Sequence, residues 1–190
     1  EKIELRYKEM IGQLNPALVS LVKVEGVLDK MYLIPQGKYF SSENAITCRV
    51  LSAGDDVEND IALVQSERSE LPHGCRAVNV KDSIDVNEAD LTVGKHIYTI
   101  GFPFGTGLQD LKSEKGIQVL ARGGSITQAT TEYSFSFDAA SYQGASGSPI
   151  FNENGMLVGV LNAGVEVSQG FNYGIKAKFV KEMLDKPFKK

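Results

Sequence analysis

The chain has 190 residues, 42% of them apolar and 23% charged, the balance of a folded globular protein and not of a disordered one. It carries 20 Lys+Arg against 24 Asp+Glu, a formal net charge of −4, so it lacks the basic excess of a general nucleic-acid binder. Two histidines and two widely spaced cysteines cannot build a four-ligand zinc cluster at the usual spacing, and no metal site is expected.

No apolar run approaches the roughly 18 residues of a membrane-spanning helix. The opening Glu1-Lys2-Ile3-Glu4 lacks the basic-then-apolar pattern of a signal peptide. Residues 1–29 read as a helical segment. Tyr7, Ile11, Leu14, Leu18 and Leu21 fall on one helical face. Asn15-Pro16 breaks it, because Asn suits an N-cap and Pro the first helical position. The valine-rich residues 18–24 fit a short strand as well as a helix.

From Met31 the pattern changes to short apolar or alternating runs separated by Gly, Asn, Asp and Ser. They cover residues 31–34, 45–51, 60–65, 77–80, 96–100, 116–121, 133–137, 149–151, 157–161 and 170–175. Asn154-Gly155 is a strong hairpin turn. Many short strands with frequent turns predict a mostly β fold, a sandwich or a barrel pair. Phe179, Val180, Met183 and Leu184 form the apolar stripe of a closing helix, and Lys186, Lys189 and Lys190 suit its C-terminal end. A boundary between two β halves is expected within the polar residues 80–92. Cys48 and Cys75 could pair, but two half-buried free thiols are the simpler reading.

The sharpest local signal is Gln143-Gly144-Ala145-Ser146-Gly147-Ser148-Pro149. A nucleophilic serine needs small neighbours and a turn that makes peptide N–H groups converge where an oxyanion develops. Gly144 permits dihedral angles that other residues resist. The α/β-hydrolase elbow, Gly-x-Ser-x-Gly between strand and helix, fails here. Its last position is Ser148, and a strand follows. A glycine-rich β-turn without chemistry is the plain alternative.

The longer run from Asp138-Ala139-Ala140 to Pro149 resembles the nucleophile region of trypsin-like serine proteases, and is most similar to the HtrA-like branch. Asn59-Asp60-Ile61-Ala62-Leu63-Val64 resembles the strand start that carries that family's catalytic aspartate. Val93-Gly94 with Ile100-Gly101-Phe102-Pro103-Phe104-Gly105 resembles the opening of the second barrel. Residues 155–163 and 170–180 resemble its last hairpin and closing helix. The resemblance implies two β-barrels with a cleft between them: residues 30–85 a partial first barrel, and residues 86–190 a second barrel with its helix. Ser146 would be the nucleophile, Asp60 would orient a histidine, and the N–H groups of Gly144 and Ser146 would form the oxyanion hole. Leu161, Asn162, Ala163 and Gly164 would pair with substrate as an added strand. Gln143 and Ala140 would flank the bound residue, and Ala140 at the primary pocket argues for an apolar side chain. Ser148 departs from the family's usual second glycine. The implied substrate is a peptide or unfolded protein, with no cofactor, in a periplasmic or extracellular setting, and an oligomer stays open. No PDZ module is read in these residues.

The base is the difficulty. The family's order is His, Asp, Ser, yet both histidines, His73 and His96, follow Asp60. Without a base the hydroxyl is a poor nucleophile. Either an upstream segment supplies the histidine, which the short strand count of residues 31–80 favours, or the chain is a pseudoprotease that binds peptides or a protein partner in the cleft. A purely structural β-domain within an assembly is the third possibility.

Overall fold

Strand periodicity is clearest at β4 (His96–Gly101), where exposed and buried residues alternate without a break in the computed structural model. Ile97 and Thr99 point into a core, and His96 and Tyr98 face out. The structure describes residues 30–54, 60–68, 71–72, 74–79, 82–105, 116–128, 131–164 and 170–186. The helix expected within residues 1–29, and His73, lie outside them. The chain divides into two units, Glu1–Met31 and Tyr32–Lys190, and the second holds all of the site described below.

The described residues before β4 form a three-stranded sheet in the order β1 (Met31–Leu33), β2 (Ile46–Ala53), β3 (Ala62–Ser66). Strands β2 and β3 are antiparallel, with Val50 opposite Val64 and a register shift near Ser52. Of the run expected over residues 77–80, residues 77–79 are not strand. The amides of Asp82 and Ser83 both donate to the Asn79 carbonyl, and the Asn79 side chain donates to Asp82, so local turn bonds outcompete a ladder.

Six strands then close a barrel: β4, β5 (Leu120–Gln128), β6 (Ser134–Phe137), β7 (Pro149–Asn152), β8 (Leu157–Gly164) and β9 (Asn172–Lys176). The order around it is β4-β5-β6-β9-β8-β7, with every pair antiparallel. Ile97, Ile126, Phe135, Phe137, Ile150 and Val158 belong to one core cluster, none more than 1% exposed. Each contributes about 1.5–3 kcal/mol by burial. Helix α1 (Ala177–Asp185) closes the chain against β8 and β9, and Phe179 stacks on Tyr133 with centroids 5.0 Å apart.

Strand β5 starts near the expected run but continues through Arg122-Gly123-Gly124-Ser125 to Gln128. Two glycines there disguise a strand. The neighbours explain them: the Tyr98 ring covers Gly123, and the Asp138–Ala139 backbone and carboxylate occupy the space a Gly124 side chain would need.

The linker packs on the barrel. Ile84 makes a parallel bridge to Leu157, and buried Asn152 donates to Asp90 at 2.6 Å while its oxygen accepts from the amides of Asn154 and Met156. The Asn154-Gly155 turn is thereby fixed to the linker. Buried Lys176 pairs with Glu88 at 2.9 Å, and Lys178 reaches the same carboxylate at 3.0 Å. These two ammonium groups hold the Glu88 carboxyl below its usual value of 4.5.

Candidate active site

The loop between β6 and β7 carries Ser146. Gly144 there has φ +93, and a side chain on it would also press on the backbone of Phe104 and Gly105. Within residues 144–148 the amides of Ala145, Gly147 and Ser148 are committed, to the carbonyls of Tyr142 (3.0 Å), Leu161 (2.7 Å) and Ala145 (3.0 Å). The amides of Gly144 and Ser146 have no partner among the described residues. The Gln143 carbonyl accepts from the Phe104 amide at 2.7 Å. In a trans peptide this turns the Gly144 N–H to the opposite side. Two unpaired donors two residues apart, on a loop locked by its neighbours, suit a developing negative charge.

Ser146 is exposed, and its hydroxyl donates to the Asn162 carbonyl at 2.8 Å. Asn162 sits where β8 leaves β7. Strand β7 pairs with β8 only up to Val160, whereas β9 continues along it to Gly164. Among the described residues the side of 162–164 away from β9 is therefore an open strand edge beginning at the serine. Leu161 itself is buried in the core, its amide on the Ser148 carbonyl at 2.9 Å.

Ala140 is half-buried. It lines a space of about 10 Å³, with Leu161 and the buried Thr99 and Ser148, that is far smaller than a side chain. Gln143 is exposed beside Gly144. Asp60 is exposed one residue before Ile61, whose carbonyl closes the β2–β3 pair onto Gly54 at 2.8 Å. Among the described residues Asp60 makes no hydrogen bond or ion pair, and nothing joins it to Ser146. His96 faces out from β4, its Nδ1 3.2 Å from the Ser125 hydroxyl on the paired strand. The fold thus joins Ser146 to Asn162 and carries Gln143 and Gly144 on the same loop, and among the described residues neither Asp60 nor His96 bonds to any of them.

The side chains that hold the loop and the segment before it were given no such role from the sequence. The Arg122 guanidinium lies 5.0 Å over the Tyr142 ring and donates to the Ala140 carbonyl at 3.4 Å. Phe104, at φ 65, packs on the same ring with centroids 4.7 Å apart. Asp138 accepts from the Ser125 amide at 2.6 Å, and Asn172 donates to the Ala139 carbonyl at 2.8 Å, anchoring the segment that leads to the loop. Among the described residues no group of three His, Cys, Asp or Glu could hold a metal, and no helix is long and apolar enough to cross a membrane. Cys48 and Cys75 are half-buried free thiols.

Known proteins resemble this chain in sequence and fold. The family model of the trypsin-like peptidase domain matches residues 23–160, more than half of the chain. The chain belongs to the trypsin-like peptidase family. It is 36% identical over 122 residues to a probable periplasmic serine protease do/HhoA-like of Haemophilus influenzae, covering 64% of this chain and 24% of that one. It is 33% identical over 122 residues to the periplasmic serine endoprotease DegP of Escherichia coli, covering 64% of this chain and 23% of that one. The chain spans about a quarter of the length of these curated relatives. A serine endoprotease from Yersinia pestis superposes with a TM-score of 0.59 at 18% identity, over 85% of this chain and 50% of that one. That likeness concerns the fold: mostly β, a closed six-stranded barrel, a partial second sheet and one C-terminal helix among the described residues. This trypsin-like chain is related to the DegP proteases, as the serine and aspartate motifs led us to expect.

Proposed function

We propose that this chain is the protease domain of a periplasmic serine endopeptidase that acts on extended peptides or unfolded protein through an acyl-enzyme on Ser146. The observation that carries the reading is the pair of unpaired amides at Gly144 and Ser146 beside the exposed hydroxyl. The periplasmic setting rests on the relatives, which are named periplasmic serine proteases.

In the proposed reaction a peptide joins the open edge at Asn162–Ala163–Gly164, placing its carbonyl carbon against Ser146 Oγ. Attack forms the Oγ–C bond and moves the carbonyl electrons onto oxygen, where Gly144 and Ser146 donate to it. The hydroxyl proton passes to a base, which returns it to the departing amine as the C–N bond breaks. Water then releases the acyl group. Asp60 is assigned to orient a histidine base. Neither histidine of this chain precedes Asp60, and His96 is engaged at Ser125. Loss of one triad member leaves only about 10³–10⁴ over the uncatalysed rate, so turnover by this chain alone should be very slow.

The same geometry supports a second reading, a pseudoprotease that binds peptides without cleaving them. The hydrogen bond from Ser146 to a carbonyl rather than to an imidazole favours it. A peptidyl phosphonate, with adducts mapped by mass spectrometry, tests the first. We expect slow modification at Ser146, none in Ser146→Ala, and at least about tenfold slowing in Gly144→Ala. Adducts on another residue, or undiminished in Ser146→Ala, would overturn the enzyme reading. Saturable peptide binding with no adduct would select the second.

A further inference from the structure

An open cavity of about 460 Å³ lies beside the strand edge. Asn162 and Ala163 line it, and so do Tyr173 of β9 and Glu132 and Ser134 at the entry to β6. A side chain on Gly174 would run into Ile150 and Phe135 in the core, so the adjacent Tyr173 points outward. Ala163 is the cross-strand partner of Tyr173 and shares that outer face.

Among the described residues that line the cavity, Glu132 is the one with a formal charge. It is exposed, and it has no ion pair among the described residues. The remaining polar lining is hydroxyl and amide, and the Tyr173 ring adds a face that attracts cations.

All strand pairs in the barrel are antiparallel. A peptide added to the edge in the same sense places its residues N-terminal to the reacting carbonyl along residues 162–164, and every second side chain on the cavity face. We infer that this cavity is a side-chain subsite that selects a lysine or arginine in the segment N-terminal to the bond presented to Ser146. The inference rests on the strand-edge reading above and adds a charge preference to it.

The test is fluorescence polarisation with the full chain and extended peptides of Ser, Thr and Val, in which a single Lys is walked along the sequence against a Gln control. At one position, or at two positions an even number of residues apart, Lys should tighten Kd about fivefold, the size of one partly exposed ion pair. The preference should vanish in Glu132→Gln, invert toward Glu in Glu132→Lys, and shrink as salt rises. Peptides that bind and are weakened by Asn162→Trp, yet show no Lys preference or keep it in Glu132→Gln, would overturn the subsite alone. Peptides that bind with no sensitivity to Asn162→Trp, or fail to bind at all, would remove the strand-edge reading and the subsite with it.

Discussion

The two β regions of this chain are built to different standards. The barrel of β4–β9 closes on itself, and among the described residues all of its large buried apolar side chains except Leu91 and Met183 lie on strands that have neighbours on both sides. The β1–β3 sheet has two edges among the described residues, buries only Ile46 of its apolar residues, and leaves Tyr32, Leu33, Val50 and Val64 at least 38% exposed. The proposed catalytic parts divide along the same line. Ser146, the amides of Gly144 and Ser146 and the strand edge belong to the closed barrel, and Asp60 lies just before β3 of the open sheet. In the proposed mechanism charge stabilisation and peptide docking draw on the barrel, and proton transfer draws on Asp60.

The largest expected effect breaks the better-built region. Ile150 is fully buried and its Cδ1 fills the space beside Gly174. Ile150→Ala should cost about 2–5 kcal/mol in a urea denaturation curve. Val64→Ala, on the exposed face of the open sheet, should cost less than about 1 kcal/mol. Similar losses at the two positions would erase the contrast.

Gly144→Ala comes next. A residue with a side chain at φ +93, pressed on the Phe104 and Gly105 amides, should cost about 1–3 kcal/mol. An unchanged melting curve with unchanged phosphonate labelling would show that the loop is not held as described.

Glu88→Gln probes the pair that fastens the linker to the barrel. It leaves the buried Lys176 ammonium without its anion, but Glu88 is 45% exposed, so water screens part of the loss. We expect about 1–2 kcal/mol at neutral pH. The folded-state carboxyl lies below 4.5, so its contribution is present above that pH and fades as pH falls through the lowered value. The gap between wild type and Glu88→Gln should therefore close in acid. A gap that widens there would reverse the assignment.

Asp60→Asn should have the smallest effect on stability, within about 0.5 kcal/mol, because the side chain is exposed and unpaired among the described residues. A large drop in melting temperature would make Asp60 structural.

Much of the barrel was legible because it obeys local rules. The alternation of His96-Ile97-Tyr98-Thr99, the Asn154-Gly155 turn and the small residues around Ser146 each state their conformation within a few positions. What was hidden depends on contacts distant in sequence. Gly123 and Gly124 read as loop until Tyr98 and Asp138 are seen above them. The Arg122–Tyr142–Phe104 stack joins three segments, and no spacing announces it. The run over residues 77–80 had strand-like apolar residues, but Asn79 offered its neighbours a turn. At the proposed site the unusual backbone angle of Gly144 was readable from its motif, and the sequence also showed that no histidine precedes Asp60.

We propose that the closed barrel carries a nucleophile beside two anion-binding amides and needs a base to act. The most direct measurement is the rate of phosphonate modification at Ser146 as free imidazole is added, read by intact mass and peptide mapping. The account predicts a slow rate that rises in proportion to neutral imidazole, with a much smaller rise in Gly144→Ala. A fast rate indifferent to imidazole, or no adduct at Ser146 at any imidazole concentration, would contradict it.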